Sequence, residues 1–210
     1  MVHDGREAGA ARPGRGAPMA EILLFHHALG LTPGIRHLAT TLRRAGHTVH
    51  LPDLYDGRVL PDLAQGLDHA REVGFGTLLD RGRHAADGLP AELVYVGFSL
   101  GVVPAQALAQ TRPGARGALL VDACLPPTEF GDGWPAGVPV QVHGMDADEI
   151  FVGEGDLDAA RALVEATPQA ELFLYPGKSH LFADDSLPSY DAAAATLLTT
   201  RMLDFLATPG

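Results

Sequence analysis

One cysteine (Cys124), one lysine (Lys178) and one tryptophan (Trp134) stand in a chain of 210 residues. A lone cysteine excludes any disulfide within the chain and fits a reducing, cytoplasmic setting. The shortage of lysine is only partly made up by arginine: 15 basic residues face 26 acidic ones, for a net charge of −11. Without a basic cluster to meet phosphates, nucleic acids and anionic membranes are poor partners. No apolar run approaches the roughly 18 residues of a membrane-spanning helix. Residues 1–18 lack the apolar centre of a secretory signal. They are expected to form a disordered extension ahead of a single domain over 19–210.

What is present is the composition of a folded globular protein, 46% hydrophobic and 20% charged. Short apolar runs recur at Glu21–His26, His47–Leu51, Glu92–Val96, Gly117–Val121, Val138–His143 and Glu171–Tyr175. Between most of them lie helix-compatible stretches: Pro33–Ala45, Leu67–Leu89, Val102–Gln110, Leu157–Ala166 and Tyr190–Leu206. That alternation predicts βαβ units and an α/β fold. Its mostly parallel sheet has six strands or slightly more, with helices on both faces. Ligands of such sheets bind beyond the carboxyl ends of the strands, so the residues just after each run are the candidates for chemistry.

The third run leads into Gly97-Phe98-Ser99-Leu100-Gly101, followed at once by a helical segment. Strand, sharp turn and helix around Gly-x-Ser-x-Gly is the setting of a nucleophile elbow. The bland alternative is an ordinary strand-to-helix turn with Ser99 as its cap. A serine hydroxyl needs a base, and the base needs an orienting acid. His180 follows the last strand and is the only histidine after His143. Asp148, in the turn after Val138–His143, is the preferred acid. Asp146 is the reserve and Asp122, at the end of the strand before, a third option. Two backbone N–H groups should converge on the oxyanion. Leu100, after the nucleophile, supplies one, and Ala28, after the first strand, the other.

The connection 122–137 is expected to overhang the site. Phe130 and Trp134 either line a pocket there or anchor the loop to the core. The pair His26-His27 invites a metal reading together with His143 and Asp146. Adjacent strand residues point to opposite faces, so no metal is expected. His27 is instead placed at the border of the pocket, with His26 packed beneath the loop.

From Ala20 to Leu206 these residues resemble the dienelactone hydrolase family of α/β-hydrolases. The likeness is carried by Ile22 to Thr32, by Leu51-Pro52-Asp53-Leu54-Tyr55, by the elbow and by Tyr175 to Phe182. The resemblance implies a compact hydrolase without a large cap domain, a Ser99–Asp148–His180 triad and no cofactor. It also shows departures. The name-giving enzymes carry cysteine where Ser99 stands. Their glutamate near the thiol matches His27, and an arginine that holds the substrate carboxylate matches Asp184. An aspartate there would repel an anionic lactone.

The function expected is a serine hydrolase acting on a small carboxylic ester or lactone through an acyl-enzyme, as a monomer or small homo-oligomer. The alternatives are a thioesterase using the same triad and a non-catalytic binding protein on the same scaffold.

Overall fold

The computed structural model describes residues 19–208, so the expected N-terminal extension lies outside the described residues. Six strands form one sheet: β1 (Glu21–Phe25), β2 (Thr48–His50), β3 (Val94–Phe98), β4 (Gly117–Val121), β5 (Val140–Met145) and β6 (Ala170–Tyr175). Their order is β2-β1-β3-β4-β5-β6, and every pairing is parallel. All the strands therefore run in one direction, and their carboxyl ends share one rim.

The two central strands, β3 and β4, are buried along their whole length because both of their faces are covered. Leu23, Phe25, Tyr95, Leu120 and Val142 pack on one side. That side is roofed by helices α2 (Leu63–Val73), α3 (Phe75–Ala85), α4 (Val102–Thr111) and α6 (Asp156–Ala166). Ile22, Leu24, Val96, Leu119 and Val121 pack on the other, beneath α1 (Pro33–Arg44) and α7 (Ala192–Ala207). The alternation of neighbours such as Leu23 and Leu24 between the two cores is the period-2 geometry of a strand.

The single helix expected over Leu67–Leu89 is two. Gly74, with φ of 88°, ends α2 and precedes α3, and a left-handed residue cannot continue a right-handed helix. A short helix α5 (Glu149–Gly153), capped by the Asp148 side chain on the Ile150 N–H, has no counterpart in the sequence pattern. No helix among the described residues is long and apolar enough to cross a membrane.

Candidate active site

Strand β3 runs directly into Ser99, which opens a 3-10 turn, Ser99–Gly101, leading to α4. Ser99 has φ of 47°, in the left-handed region. The two flanking glycines are required by close approach. A Cβ on Gly97 would meet the Gly101 carbonyl oxygen at 2.4 Å. One on Gly101 would meet the carbonyl oxygens of Phe25 and His26 at 2.5 and 2.6 Å. The chain leaving β1 thus lies against the elbow, which brings the segment holding Ala28 alongside it. Ala28 and Leu100 are both buried.

His180 reaches the same rim from the loop after β6. Its Nε2 lies 2.9 Å from Ser99 Oγ, and its Nδ1 lies 2.6 Å from Asp148 Oδ2. The second Asp148 oxygen accepts the Ile150 N–H at 3.0 Å. Asp148 is buried, and the His180 ring is only 8% exposed. Burial depresses the His180 pKa. The Asp148 hydrogen bond and the charges of Asp122, Asp148 and Asp156 outweigh it, and the net shift is upward.

Asp146, the reserve acid, is exposed and accepts the Gly177 N–H at 3.0 Å, as a turn former does. Asp122 is fully buried just past β4. Its Oδ2 accepts the Leu181 N–H at 3.1 Å, while Oδ1 has no partner among the described residues. Burial pushes its pKa up to about 7, with the His180 charge opposing and the Asp148 charge adding.

His27 does not border a pocket; its side chain is buried. Its Nε2–H donates to Asp184 Oδ2 at 2.8 Å, and its Nδ1 accepts the Leu29 N–H at 3.2 Å. His26 is buried as expected. It donates from Nδ1 to the His27 carbonyl at 2.8 Å and accepts the Leu54 N–H on Nε2 at 3.0 Å. All four ring nitrogens are therefore committed within the protein. His143 lies elsewhere, with Nδ1 3.0 Å from the Tyr175 hydroxyl and its ring stacked on Phe173.

Asp184 does not face a substrate either. It is 2% exposed and accepts from His27, Thr32 Oγ1 and both the N–H and hydroxyl of Ser186. Burial acts to raise its pKa, but the donors from His27, Ser186 and Thr32 prevail and hold it down to about 2. This cluster ties the loop after β1 to the loop after His180, and no spacing in the sequence announces it.

Phe130 and Trp134 are both half-buried. Trp134 packs on the α2/α3/α4 side of the core and donates its indole N–H to the Val138 carbonyl at 2.7 Å. Gln106 and Gln110 of α4 hold the same connection through the carbonyls of Leu125, Pro127 and Gly133. Trp134 is thus a loop anchor. Cys124 is buried, which pushes its thiol up to about 12, so it is no competing nucleophile. A cavity of about 780 Å³ lies at the opposite end of the sheet, among Glu21, Val94, Gln141 and Glu171 at the strands' amino ends, and touches none of these groups.

Comparison with known proteins adds a family and a fold. The family model described as the dienelactone hydrolase family matches residues 7–209. A search of curated protein sequences finds no significant match. Solved structures are similar over most of their length. The dienelactone hydrolase-like promiscuous phosphotriesterase P91 from metagenomic libraries is 19% identical with a TM-score of 0.70, over 92% of this chain and 87% of that one. The thioesterase domain from the curacin biosynthetic pathway is 18% identical with a TM-score of 0.58, over 86% of this chain and 90% of that one. Esterase 2 of Thermogutta terrifontis, phosphonylated by cyclosarin, is 16% identical with a TM-score of 0.59, over 90% of this chain and 82% of that one. At these identities the likeness is one of fold.

Proposed function

The chain belongs to the dienelactone hydrolase family and is a carboxylic ester hydrolase. On that premise we propose that Ser99 is its nucleophile, acting on a small ester or lactone through an acyl-enzyme. The observation that carries this reading is the unbroken relay from Ser99 Oγ to His180 Nε2 at 2.9 Å and from His180 Nδ1 to Asp148 Oδ2 at 2.6 Å.

Asp148 accepts a hydrogen bond from Nδ1–H, which leaves the Nε2 lone pair directed at the Ser99 hydroxyl. As Ser99 Oγ bonds to the ester carbonyl carbon, its proton passes to Nε2. The carbonyl oxygen becomes an oxyanion held by the N–H groups of Ala28 and Leu100, each such donor worth about 3 kcal/mol. Collapse of the tetrahedral adduct breaks the C–O bond, and His180 protonates the departing alkoxide. Water, giving a proton to the same imidazole, then bonds to the acyl carbon; the bond to Ser99 Oγ breaks, the imidazolium returns the proton to Oγ, and the acid leaves.

Burial of Asp184 within its own cluster removes the argument that it repels anionic substrates, and it supplies no positive clamp in exchange. Neutral esters and lactones are therefore the proposed substrates. Ser99→Ala should abolish turnover of a p-nitrophenyl ester while moving the Tm by less than about 2 °C. A fluorophosphonate probe should label wild-type protein at Ser99 alone. Retained turnover in the alanine variant, or folded protein that the probe leaves unlabelled, would refute the assignment and favour a binding role.

A further inference from the structure

Around the ring of His180 stand two buried carboxyl groups. A carboxylate oxygen of Asp122, one of Asp148 and a ring nitrogen of His180 all lie within 4.8 Å of one another. Asp148 uses one oxygen on Nδ1 and the other on the Ile150 N–H. Asp122 comes from a different strand end. It is 1% exposed, its backbone N–H is fixed to the His143 carbonyl at 2.8 Å, and its φ is 60°. Oδ2 takes the N–H of Leu181, the residue next to His180 and itself left-handed at 61°. Oδ1 has no hydrogen-bond partner among the described residues. A buried acceptor without a partner is costly and calls for an explanation. Holding one backbone N–H requires an acceptor; it does not require an ionisable group.

We propose that Asp122 is a positioning residue with two roles. It anchors the backbone beside His180, and it supplies a second, pH-dependent negative charge that stabilises the imidazolium. The inference rests on the Ser99 reading for its catalytic consequence only. No proton passes through Asp122. The proton still moves from Ser99 Oγ to Nε2 and on to the leaving alkoxide, while the Nδ1–H bond stays intact and donates to Asp148. What changes is the field: one carboxylate faces the imidazolium while Asp122 is protonated, two once it ionises. The other charged and titratable groups in reach are Asp156 at the head of α6, which acts on His180, and the Tyr175 phenol beside Asp122. Burial holds the Asp122 carboxyl up at about 7, so the change falls within the working range of the base.

Asp122→Asn separates the two roles. Asparagine still offers an oxygen to the Leu181 N–H and tolerates the left-handed backbone, but it carries no charge. NMR titration of the His180 ring should show its pKa lowered by about one unit. The acid limb of kcat/KM for p-nitrophenyl acetate should move down by the same amount. Plateau kcat should fall about three- to tenfold with KM unchanged. An unmoved ring titration with an unmoved limb would reduce Asp122 to a backbone anchor and overturn the proposal. If the variant does not fold, the unsubstituted protein decides. The carboxyl carbon of Asp122, followed with labelled aspartate, should titrate in two steps linked to His180. Titration of either group that ignores the other would overturn it. The NMR readouts need no turnover, so failure of the Ser99 reading, seen as an active Ser99→Ala, stays distinguishable from failure here.

Discussion

Asp184 is the residue on which sequence and structure differ most. Its match to a substrate-binding arginine places it in the pocket, whereas it lies inside the protein as the acceptor for His27, Thr32 and Ser186. Asp184→Ala would leave those buried donors without an acceptor, at a cost of about 3 kcal/mol, or roughly 10 °C in Tm for a chain of this size. Because His27 immediately precedes Ala28, kcat should fall in the same variant while KM changes little. Thermal melts and ester kinetics on one preparation test both. Since the native carboxyl is held at about 2 against an ordinary 3.8, its contribution of about 2 kcal/mol is present above pH 4 and is lost as pH falls toward 2. Ser99, Asp148 and His180 each follow a strand, and a parallel sheet gathers strand ends, so their spacing in the sequence announces their meeting. The His27–Asp184 pair spans 157 positions between two loops, and its members alternate with no period. Nothing local marks it.

Among the elements, the six strands and the order of the main helices are legible because apolar runs and amphipathic stretches differ in length and period. Boundaries are less so. β3 extends to Phe98 rather than stopping at Val96, since the elbow prolongs the strand to Ser99 itself. The α2/α3 break leaves no mark in the pattern because Gly74 is one glycine among several in that stretch, and only its φ distinguishes it. Packing distinguishes two others. A Cβ on Gly66 of α2 would lie 2.5 Å from the carbonyl oxygen of Ala28, whereas one on Gly76 of α3 would meet nothing within 4 Å. Gly66→Ala should therefore cost about 1–3 kcal/mol and depress kcat by displacing Ala28, whose N–H is the proposed oxyanion donor. Gly76→Ala should stabilise by about 0.5 kcal/mol with kinetics unaltered. Equal kinetic effects from the two would remove α2 from any part in shaping the site.

For the molecule as a whole, buried ionisable groups set the response to acid. Burial lowers His26 from 6.5 to about 4 and His143 from 6.5 to about 3. Both stay neutral in the native state while their unfolded counterparts take up protons below about 6.5. Their effect is a loss of stability as pH falls from there. Asp122 works the other way, since a carboxyl raised from 3.8 to about 7 favours the folded state as pH drops through that interval. The two histidines carry the larger combined displacement. The Tm should decline between pH 7 and pH 4.5, and His143→Gln should make that decline shallower. An increase in Tm over the same range would contradict the neutral burial of these rings.

Four non-glycine residues among those described adopt left-handed backbone, and three of them, Ser99, Asp122 and Leu181, belong to the strand ends around the imidazole. Each such residue costs on the order of 1–3 kcal/mol. Evolution toward heat tolerance alone would find its easiest gains at these three positions, by admitting glycine or asparagine. A library screened only for survival at high temperature should therefore drift toward a sturdier protein that has forgotten its chemistry, and one screened for turnover should keep all three.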